Sequence, residues 1–444
     1  MMKNNKGTGR SFSPASFLPL VTMALAMSPL FLATPTLRAQ DDLHVQYKFN
    51  GLADGASPIG NLLADGYSHV LGVANAGGTL CHPTGCGVVF DWAHGYLVPE
   101  FTFGSLDGKP NFPSSGLVRD TAGDLYGEML IEVATNSTVG AIYKILPSGT
   151  GTVLHVFSAT EGEPYGGLTI DKKGTLYGVT TAGGCAPGNG CGEIFEISPA
   201  GVTTVLFHFK NPVVSGSDPQ TSLAVDAEGN LYGTTTDGGP DDTGNSDNPG
   251  YGVLFQLRPD GTFTVLHNFT GGTDGGSPNG IALDGKGNIF GFALSGGDLS
   301  SCALYDAGAF ANFGCGVLYE FDTAGNFSVI HSFTGSDGAG PQGVPLILGD
   351  TIYGATQAGG VHGSTEGLDG FGVVFQITAN GHHTTLHSFT GKDGLLPSTG
   401  LIQLPNGDIY GATLFGGHSS VSTNPCKTNG TAGCGVLYKI LLPK

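Results

Sequence analysis

Eight cysteines are the residues whose type and spacing bear most directly on chemistry. They form four local pairs: Cys81/Cys86, Cys185/Cys191, Cys302/Cys315 and Cys426/Cys434. In an oxidising compartment such pairs form disulfides, and the chain-entropy argument gives about 2–3 kcal/mol for bridges that close loops of this size. Zinc is the alternative, but each pair would then need two further ligands from a distant part of the chain. The spacing therefore predicts four local disulfides.

Histidine recurs in one sequence context, near the end of a short apolar segment. The four copies are His155, His267, His331 and His387. A catalytic series is one interpretation. However, Tyr47, Phe101 and Phe207 occupy the same place in other copies of the segment. A position that accepts Tyr or Phe instead of His favours a packing role.

An acidic residue follows most of these segments, usually in an Asp-Gly pair. The acids are Asp54, Asp107, Asp274, Asp337 and Asp393, with Glu161 in one copy. A tight turn is the favoured interpretation, because Asp accepts hydrogen bonds from nearby backbone N–H groups and Gly adopts positive φ. An acidic ring that binds cations or sugar hydroxyls is the alternative.

A separate group of acids crowds one loop: Asp237, Asp241, Asp242 and Asp247. Oxygen-rich loops suit Ca²⁺, so these four residues are a candidate calcium site, and no other cofactor is expected. The sequence lacks the Gly-x-Ser-x-Gly, His-Glu-x-x-His and Gly-x-x-x-x-Gly-Lys motifs. No catalytic residue is assigned on this basis.

A repeated unit must position all of these residues. The tripeptide Leu-Tyr-Gly and its variants occur seven times, with their glycines at positions 72, 127, 178, 233, 291, 354 and 411. These glycines are 51 to 63 residues apart. A regular period of this size indicates a solenoid, a propeller or another repeat architecture.

Each repeat has room for four short strands. In the repeat at residues 217–269, the four apolar segments are residues 222–225, 231–235, 252–256 and 264–269. Asp-x-x-Gly and Pro-x-Gly turns and a Gly-Gly loop separate them, as expected of antiparallel strands. One such sheet cannot bury both faces by itself, so neighbouring repeats must stack.

Seven units of this kind predict an all-β fold, a seven-bladed β-propeller of four-stranded antiparallel blades. The last repeat lacks its fourth strand, and the missing copy stands at residues 43–49. We therefore expect this N-terminal strand to complete the last blade and close the ring. An open β-solenoid is the alternative. The predicted blade cores, within a single domain over residues 40–444, are 57–103, 112–157, 163–209, 218–269, 277–333, 341–389 and 397–441 plus 43–49.

Residues 1–39 have the pattern of a secretory signal peptide. Three basic residues precede an apolar run over residues 17–33, and Ala39 is followed by two acids. An uncleaved membrane anchor is the alternative, since 17 residues reach the lower end of a spanning helix. No second apolar stretch follows, so no membrane span is expected after signal cleavage. The sequence predicts a secreted protein, either extracellular or periplasmic.

The charge of the chain bears on its partners. The formal net charge is −19, and the leader holds four of the 17 basic residues but none of the 36 acids. The remainder is therefore more acidic still. Such a surface repels phosphate backbones, so nucleic acid is not an expected partner.

The combined motifs resemble those of a known family. Tyr-Gly-Thr-Thr, Gly-Gly, Gly-Val-Leu-Phe and Val-Leu-His-Asn-Phe-Thr-Gly-Gly-Thr-Asp-Gly, at this spacing, are similar to the GloVer tandem repeat (Gloeo/Verruco type) over residues 45–440. The resemblance implies a secreted or surface bacterial protein. Family members use varied C-terminal anchors, whereas no sorting helix or basic tail follows Tyr438 here. The family has no established activity, so the resemblance implies no catalytic residue.

The sequence is compatible with two functions. The first is a non-catalytic binding or scaffold module for a glycan or an extracellular protein, acting as a monomer. The second is a polysaccharide-degrading hydrolase or lyase with its site at the axis. Strong repeat regularity favours the first. The long loops of repeats 4 to 7 are the expected binding surface, with Tyr305, Phe310 and Phe313 as candidate ligand contacts or, alternatively, as the packed centre of their own loop.

Overall fold

The structure is a computed structural model of the 444-residue chain. It describes residues 43–66, 68–81, 85–104, 106, 110–134, 137–158, 160–183, 191–243, 249–303, 314–362, 370–417, 426 and 433–442. The predicted signal peptide lies outside these residues. Among them, no helix has the length and apolar character needed to cross a membrane.

The described strands form seven antiparallel sheets. The strand that begins the described chain is β1 (Leu43–Lys48). Blade 1 consists of β2 (Ala56–Ala64), β3 (Val70–Ala76), β4 (Val88–Ala93) and β5 (Tyr96–Thr102). Blade 2 consists of β6 (Asn111–Pro113), β7 (Val118–Arg119), β8 (Leu125–Ala134), β9 (Ser137–Ile145) and β10 (Gly151–Val156), with β6 and β7 as two pieces of its first strand.

Blades 3 and 4 follow the same order and are separated by a one-turn helix, α1 (Pro212–Ser215). Blade 3 consists of β11 (Thr169–Ile170), β12 (Leu176–Thr180), β13 (Glu193–Ile197) and β14 (Thr203–His208). Blade 4 consists of β15 (Ala224–Val225), β16 (Leu231–Thr235), β17 (Val253–Leu257) and β18 (Phe263–Asn268).

Blade 5 carries a second short helix, α2 (Leu299–Ala303), between its second and third strands. Blade 5 consists of β19 (Gly276–Leu283), β20 (Ile289–Ser295), β21 (Val317–Phe321) and β22 (Phe327–Ser332). Blade 6 consists of β23 (Ala339–Leu348), β24 (Thr351–Ala358), β25 (Val373–Thr378) and β26 (His383–Ser388). Blade 7 consists of β27 (Leu395–Pro397), β28 (Ile402–Gln403), β29 (Ile409–Phe415) and β30 (Val436–Ile440), completed by β1.

The N-terminal strand closes the ring. β1 pairs antiparallel with β30, from Leu43 opposite Ile440 to Lys48 opposite Val436. It is therefore the outermost strand of blade 7, as the strand count predicted. The seven-bladed propeller is confirmed, and the open β-solenoid is excluded because the last blade is completed by the start of the chain.

One aromatic contact holds each blade to the next. A buried Phe follows every fourth strand, and its ring meets the third-strand aromatic ring of the next blade edge-on, with centroids 5.0–5.4 Å apart. The seven pairs are Phe49–Phe90, Phe103–Tyr143, Phe157–Phe195, Phe209–Phe255, Phe269–Tyr319, Phe333–Phe375 and Phe389–Tyr438. Edge-to-face packing suits the quadrupoles of aromatic rings. The Phe49–Phe90 pair shows that the closing seam uses the same contact as the other six.

The recurrent Gly and Pro residues meet at the same seams. Gly435 has φ 97°, and a Cβ added to it would lie 2.7 Å from Cδ of Pro58 in blade 1. The proline ring thus occupies the space that a side chain at this glycine would need. The same pairing joins Gly87 to Pro113, Gly140 to Pro164, Gly192 to Pro219, Gly252 to Pro278, Gly316 to Pro341 and Gly372 to Pro397.

Two classes of connection emerge on one face of the propeller. In every Gly-Gly pair that follows a second strand and is described in full, the second glycine donates its N–H to a carbonyl in the connection between fourth and first strands. Examples are Gly78 to Leu52 (2.6 Å), Gly297 to Gly272 (2.9 Å) and Gly417 to Gly391 (3.1 Å). We call this side the loop face. The opposite face has the tight Asp-x-x-Gly turns, such as that of Asp226, whose Oδ1 accepts the N–H groups of Glu228 and Asn230.

Three of the four predicted disulfides lie within the described residues. They join Cys81 to Cys86, Cys302 to Cys315 and Cys426 to Cys434. Cys191 is also disulfide-bonded, but its predicted partner Cys185 lies outside the described residues. The structure contains no free cysteine among the residues it describes. The bridges all tie loops of the loop face to the start of a third strand.

Candidate functional site

A cavity of about 580 Å³ lies where the first strands of all seven blades meet. Each blade contributes the side chain that follows its recurrent proline. These seven residues are Ile59, Ser114, Tyr165, Gln220, Asn279, Gln342 and Ser398. Because every blade contributes one residue, the cavity lies on the axis of the propeller, and we call it the axial cavity. Its volume is in the usual range for a site that binds a small molecule.

In several blades, the backbone before the proline sets the direction of these side chains. Ser57 has φ 55° and donates its N–H to Cys434 O of the preceding blade at 2.8 Å. Pro58 then packs on that blade's Gly435, and Ile59 lines the cavity. The same positive φ and inter-blade hydrogen bond recur at Asp218, Ser277 and Leu396. Positive φ is strained for such residues, and here the contacts with the neighbouring blade hold it.

The axial cavity opens towards the loop face. Besides the seven residues after the prolines, its wall includes residues near the ends of second strands: Asn75, Leu130, Gln357 and Leu414. First strands begin, and second strands end, at the loop face. The cavity is therefore at the mouth that the long loops surround.

The wall of the axial cavity combines polar and apolar groups and carries no charge among the described residues. No described residue that lines it is Asp, Glu, Lys, Arg or His, although the chain contains 36 acids. Amides, hydroxyls and apolar groups all line it, and Tyr165 is 49% exposed. Such a wall can exchange hydrogen bonds with an uncharged polar ligand, and it offers one aromatic face for packing.

Several polar groups of the wall are held in place by hydrogen bonds. These bonds are Gln220 Nε2 to Asp218 Oδ2 (2.6 Å), Asn279 Nδ2 to Pro341 O (3.1 Å) and Ser398 Oγ to Pro58 O (2.8 Å). The last two join neighbouring blades. Fixed rotamers reduce the entropy that a ligand must overcome to order the site.

One carboxyl group lies directly behind this wall. Glu128 is 0% exposed, and its Oε2 accepts the N–H of Gly167 at 3.0 Å. Its own N–H donates to Oγ of Ser115, a wall residue. Burial raises the pKa of Glu128 to about 7, although hydrogen bonds from Gly167 and Ser115 oppose the rise. Glu128 therefore titrates close to neutral pH without touching the cavity.

Glu128 is a residue that the sequence analysis missed. The residue that follows the Tyr-Gly glycine is uncharged in the other six repeats: Val73, Val179, Thr234, Phe292, Ala355 and Ala412. The only signal in the sequence is this single charged substitution in an aligned repeat. The ring of residues after the prolines was also missed.

The recurrent histidines and acids are in contact with one another. The pairs are His155–Glu161 (3.3 Å), His267–Asp274 (3.1 Å), His331–Asp337 (2.9 Å) and His387–Asp393 (3.1 Å), with Tyr47–Asp54 (3.0 Å) as the equivalent in blade 7. The His267 ring also stacks on Phe327 of the next blade, with centroids 3.7 Å apart. The predicted packing role is thus confirmed for His267. In addition, each of these histidine and tyrosine side chains contacts the acidic residue in the turn that follows its strand. Asp107 lies outside the described residues.

The predicted calcium loop is described only in part. Asp247 lies outside the described residues, whereas Asp237, Asp241 and Asp242 lie within them. Burial, followed by the charges of Asp218 and Asp242, raises the pKa of Asp237 to about 6. Among the described residues, these acids do not bring three ligand oxygens within 4.8 Å of one another. Calcium binding here stays a prediction.

The predicted aromatic contacts of the longest loop stay predictions as well. Tyr305, Phe310 and Phe313 lie outside the described residues. The two ends of that loop are described, and the bridge between Cys302 and Cys315 joins them. The loop therefore starts and ends at the loop face.

Solved structures with a similar fold are remote in sequence. A gluconolactonase from Xanthomonas campestris is 12% identical, with coverage of 76% of this chain and 91% of that one, and a TM-score of 0.37. The aldose sugar dehydrogenase of Streptomyces coelicolor is 12% identical, with 71% and 91% coverage and a TM-score of 0.39. A luciferin-regenerating enzyme gives 12% identity, 73% and 90% coverage and a TM-score of 0.41. These similarities carry no argument about activity.

Comparison with curated proteins gives no match. The profile of the Gloeobacter/Verrucomicrobia repeat, in contrast, matches residues 134–305 and again residues 248–442. The two matches together span more than half of the chain and most of its blades. The chain therefore belongs to the Gloeobacter/Verrucomicrobia repeat family.

Proposed function

We propose that this protein is a secreted, non-catalytic binding module and that it binds an uncharged glycan at the axial cavity. The observation that carries this proposal is the ring of seven side chains, one from each blade, with no charged group among them. Glycans present many hydroxyls, which pair with amides and hydroxyls, and apolar C–H faces, which pack on aromatic rings. Tyr165 is the exposed aromatic residue of this ring.

The disulfides support the cellular location in this proposal. Local bridges at the loop face are typical of proteins that work in an oxidising environment, outside the cell or in the periplasm. They also stiffen the loops around the mouth of the cavity. In this proposal the protein acts as a monomer, because each chain closes its own ring and leaves no unpaired blade.

The alternative function is cleavage of a polysaccharide at the same mouth. Glycosidases position a pair of carboxyl groups on either side of the scissile bond. The described wall supplies none, and Glu128 is buried behind it. An extracellular protein with a basic surface patch is the other candidate ligand, since the chain is strongly acidic. No contact among the described residues favours either alternative.

Glycan binding by the purified mature chain tests the proposal. Residues 40–444 are screened against neutral and anionic oligosaccharides, and hits are titrated by calorimetry. Tyr165→Ala is expected to weaken binding about tenfold or more, because a central aromatic contact is lost. Tyr96→Ala is the matched control, since Tyr96 is 77% exposed on the outermost strand of blade 1.

Several outcomes would count against the proposal. Equal binding by wild type and Tyr165→Ala would place the glycan elsewhere. Tyr305→Ala would then show whether the longest loop is the site. New reducing ends released from a bound polysaccharide would favour the enzyme, and binding restricted to basic proteins would favour the protein partner.

A further inference from the structure

Three side chains meet at the outer seam between blades 5 and 6, away from the axis. His331 and Asp337 belong to the fourth strand of blade 5 and the turn that follows it, and His383 begins the fourth strand of blade 6. One potential ligand atom from each residue lies within 4.8 Å of the other two. Among the described residues, no other group of three or more His, Cys, Asp or Glu side chains converges in this way.

Asp337 is already oriented for a ligand role. Its Oδ1 accepts both the N–H of Thr334 (2.8 Å) and the Thr334 hydroxyl (2.9 Å). This leaves Oδ2 for His331, whose Nε2 lies 2.9 Å away. An ion bonded to both atoms at about 2.0–2.1 Å would subtend an angle of about 90° between them, within the range of common coordination geometries. Hydrogen bonds that orient a ligating carboxylate are typical of metal sites.

His383 is the residue that makes this seam unique. At the same register position, the other fourth strands have Leu43, Leu97, Gly151, Thr203, Phe263 and Phe327. The His383 ring stacks on His331 with centroids 4.7 Å apart, as Phe327 stacks on His267 one seam earlier. A phenyl ring therefore serves the packing role at the neighbouring seam. The imidazole adds a nitrogen, Nε2, that is buried and has no hydrogen-bond partner.

We propose that His331, Asp337 and His383 bind a divalent transition-metal ion. Two imidazoles and a carboxylate suit Zn²⁺ and similar borderline ions, and they leave further coordination positions open to water. The ion takes the place of the proton between His331 Nε2 and Asp337 Oδ2, and His331 keeps its remaining proton on Nδ1. Because the two rings are stacked within 15° of parallel, the His383 ring tilts out of the stack to reach the ion.

The electrostatic setting is favourable for such an ion. Burial lowers the pKa of His383 to about 4, and the nearby His331 adds to the decrease, while Asp337 opposes it. The side chains of His331 and Asp337 remain 16% and 21% exposed, so a hydrated ion has access to them.

Metal titration of the tag-free mature chain tests the proposal. Zn²⁺ is expected to bind with one equivalent per chain in calorimetry, and Co²⁺ is expected to give visible d–d absorption. His383→Phe introduces the residue found at the preceding seam, Phe327, and keeps the stack, so the fold should persist. It is expected to weaken Zn²⁺ binding by at least about tenfold, since even outer-shell changes cost this much.

Two further variants keep the result interpretable. His267→Phe removes the equivalent His–acid pair at a seam that lacks a third ligand, and it should leave Zn²⁺ binding unchanged. Asp337→Asn serves if His383→Phe fails to fold, and it should weaken binding in the same way. The proposal is overturned if wild type binds no Zn²⁺, if His383→Phe binds as well as wild type, or if His267→Phe loses binding equally.

Discussion

The hydroxyl of Tyr47 lies 3.0 Å from Oδ2 of Asp54 and donates a hydrogen bond to it. Tyr47 is on the strand that closes the ring, and Asp54 is in the turn that leads into blade 1. The same relationship joins His267 to Asp274 in blade 4. Each of these pairs ties the end of a fourth strand to the connection that begins the next blade, so the contact helps to fix the entry of the first strand.

We expect that removing β1 destabilises the whole propeller. Deletion of residues 40–50 removes the ladder with β30 and the buried Phe49, whose ring packs on Phe90. Loss of a large buried aromatic residue alone costs about 3–5 kcal/mol, and the exposed β30 edge favours association. Urea unfolding and light scattering measure both effects. A chain that lacks only residues 1–39 is the control, and equal stability of the two proteins would contradict the role of β1.

Loss of one His–acid pair is expected to cost about 1 kcal/mol, the typical value of a hydrogen bond. His387→Phe keeps an aromatic ring but removes the bond to Asp393. Burial alone would raise the pKa of Asp393, but hydrogen bonds from His387 and Thr390 lower it overall. The contribution of the pair is therefore present above the ordinary Asp pKa and is lost as the pH falls through the lowered value.

Urea unfolding of His387→Phe and wild type at pH 6 and at pH 3 measures this dependence. The difference in unfolding free energy should be largest at pH 6 and should shrink at pH 3. A difference that stays constant would mean that the histidine contributes only through packing.

The repeat pattern was enough to predict the strands and the ring closure, because both depend on periodic features such as Leu231-Tyr232-Gly233. It was not enough to pair His267 with Asp274. A bulge in β18, between Val265 and His267, changes which way the following side chains point, and alternation along the strand does not foresee it. A single-sequence pattern likewise shows that Pro58 recurs, but not that the next residue faces the axis.

The fourth disulfide is a prediction that peptide mapping can check. Non-reduced digests of the mature chain should contain a bridge between Cys185 and Cys191 in addition to the three that the structure shows. Replacing both Cys302 and Cys315 by Ser should cost about 3 kcal/mol by the chain-entropy model. A free thiol, or a bridge between different blades, would contradict the assignment.

Glu128 should make the stability of the protein depend on pH near neutrality. Its folded-state pKa is raised to about 7 from an ordinary value of 4.5, because burial disfavours the charged form. Between these two pH values the folded chain binds more protons than the unfolded chain, so the unfolding free energy falls as the pH rises. A pKa shift of this size corresponds to roughly 3 kcal/mol of unfolding free energy. This contribution is fully lost above pH 7.

Glu128→Gln separates this effect from every other titration in the protein. The amide keeps an oxygen that can accept the N–H of Gly167 but carries no charge at any pH. We expect the variant to match wild type at pH 4.5 and to be more stable by roughly 3 kcal/mol at pH 8, as measured by urea unfolding. Glu132→Gln is on the same strand but partly exposed, and it controls for the change in net charge. It should leave the unfolding free energy unchanged at both pH 4.5 and pH 8. If Glu128→Gln is instead less stable than wild type at pH 8, the buried carboxylate is stabilised in its charged form. The hydrogen bonds from Gly167 and Ser115 would then be the contacts that hold an anion.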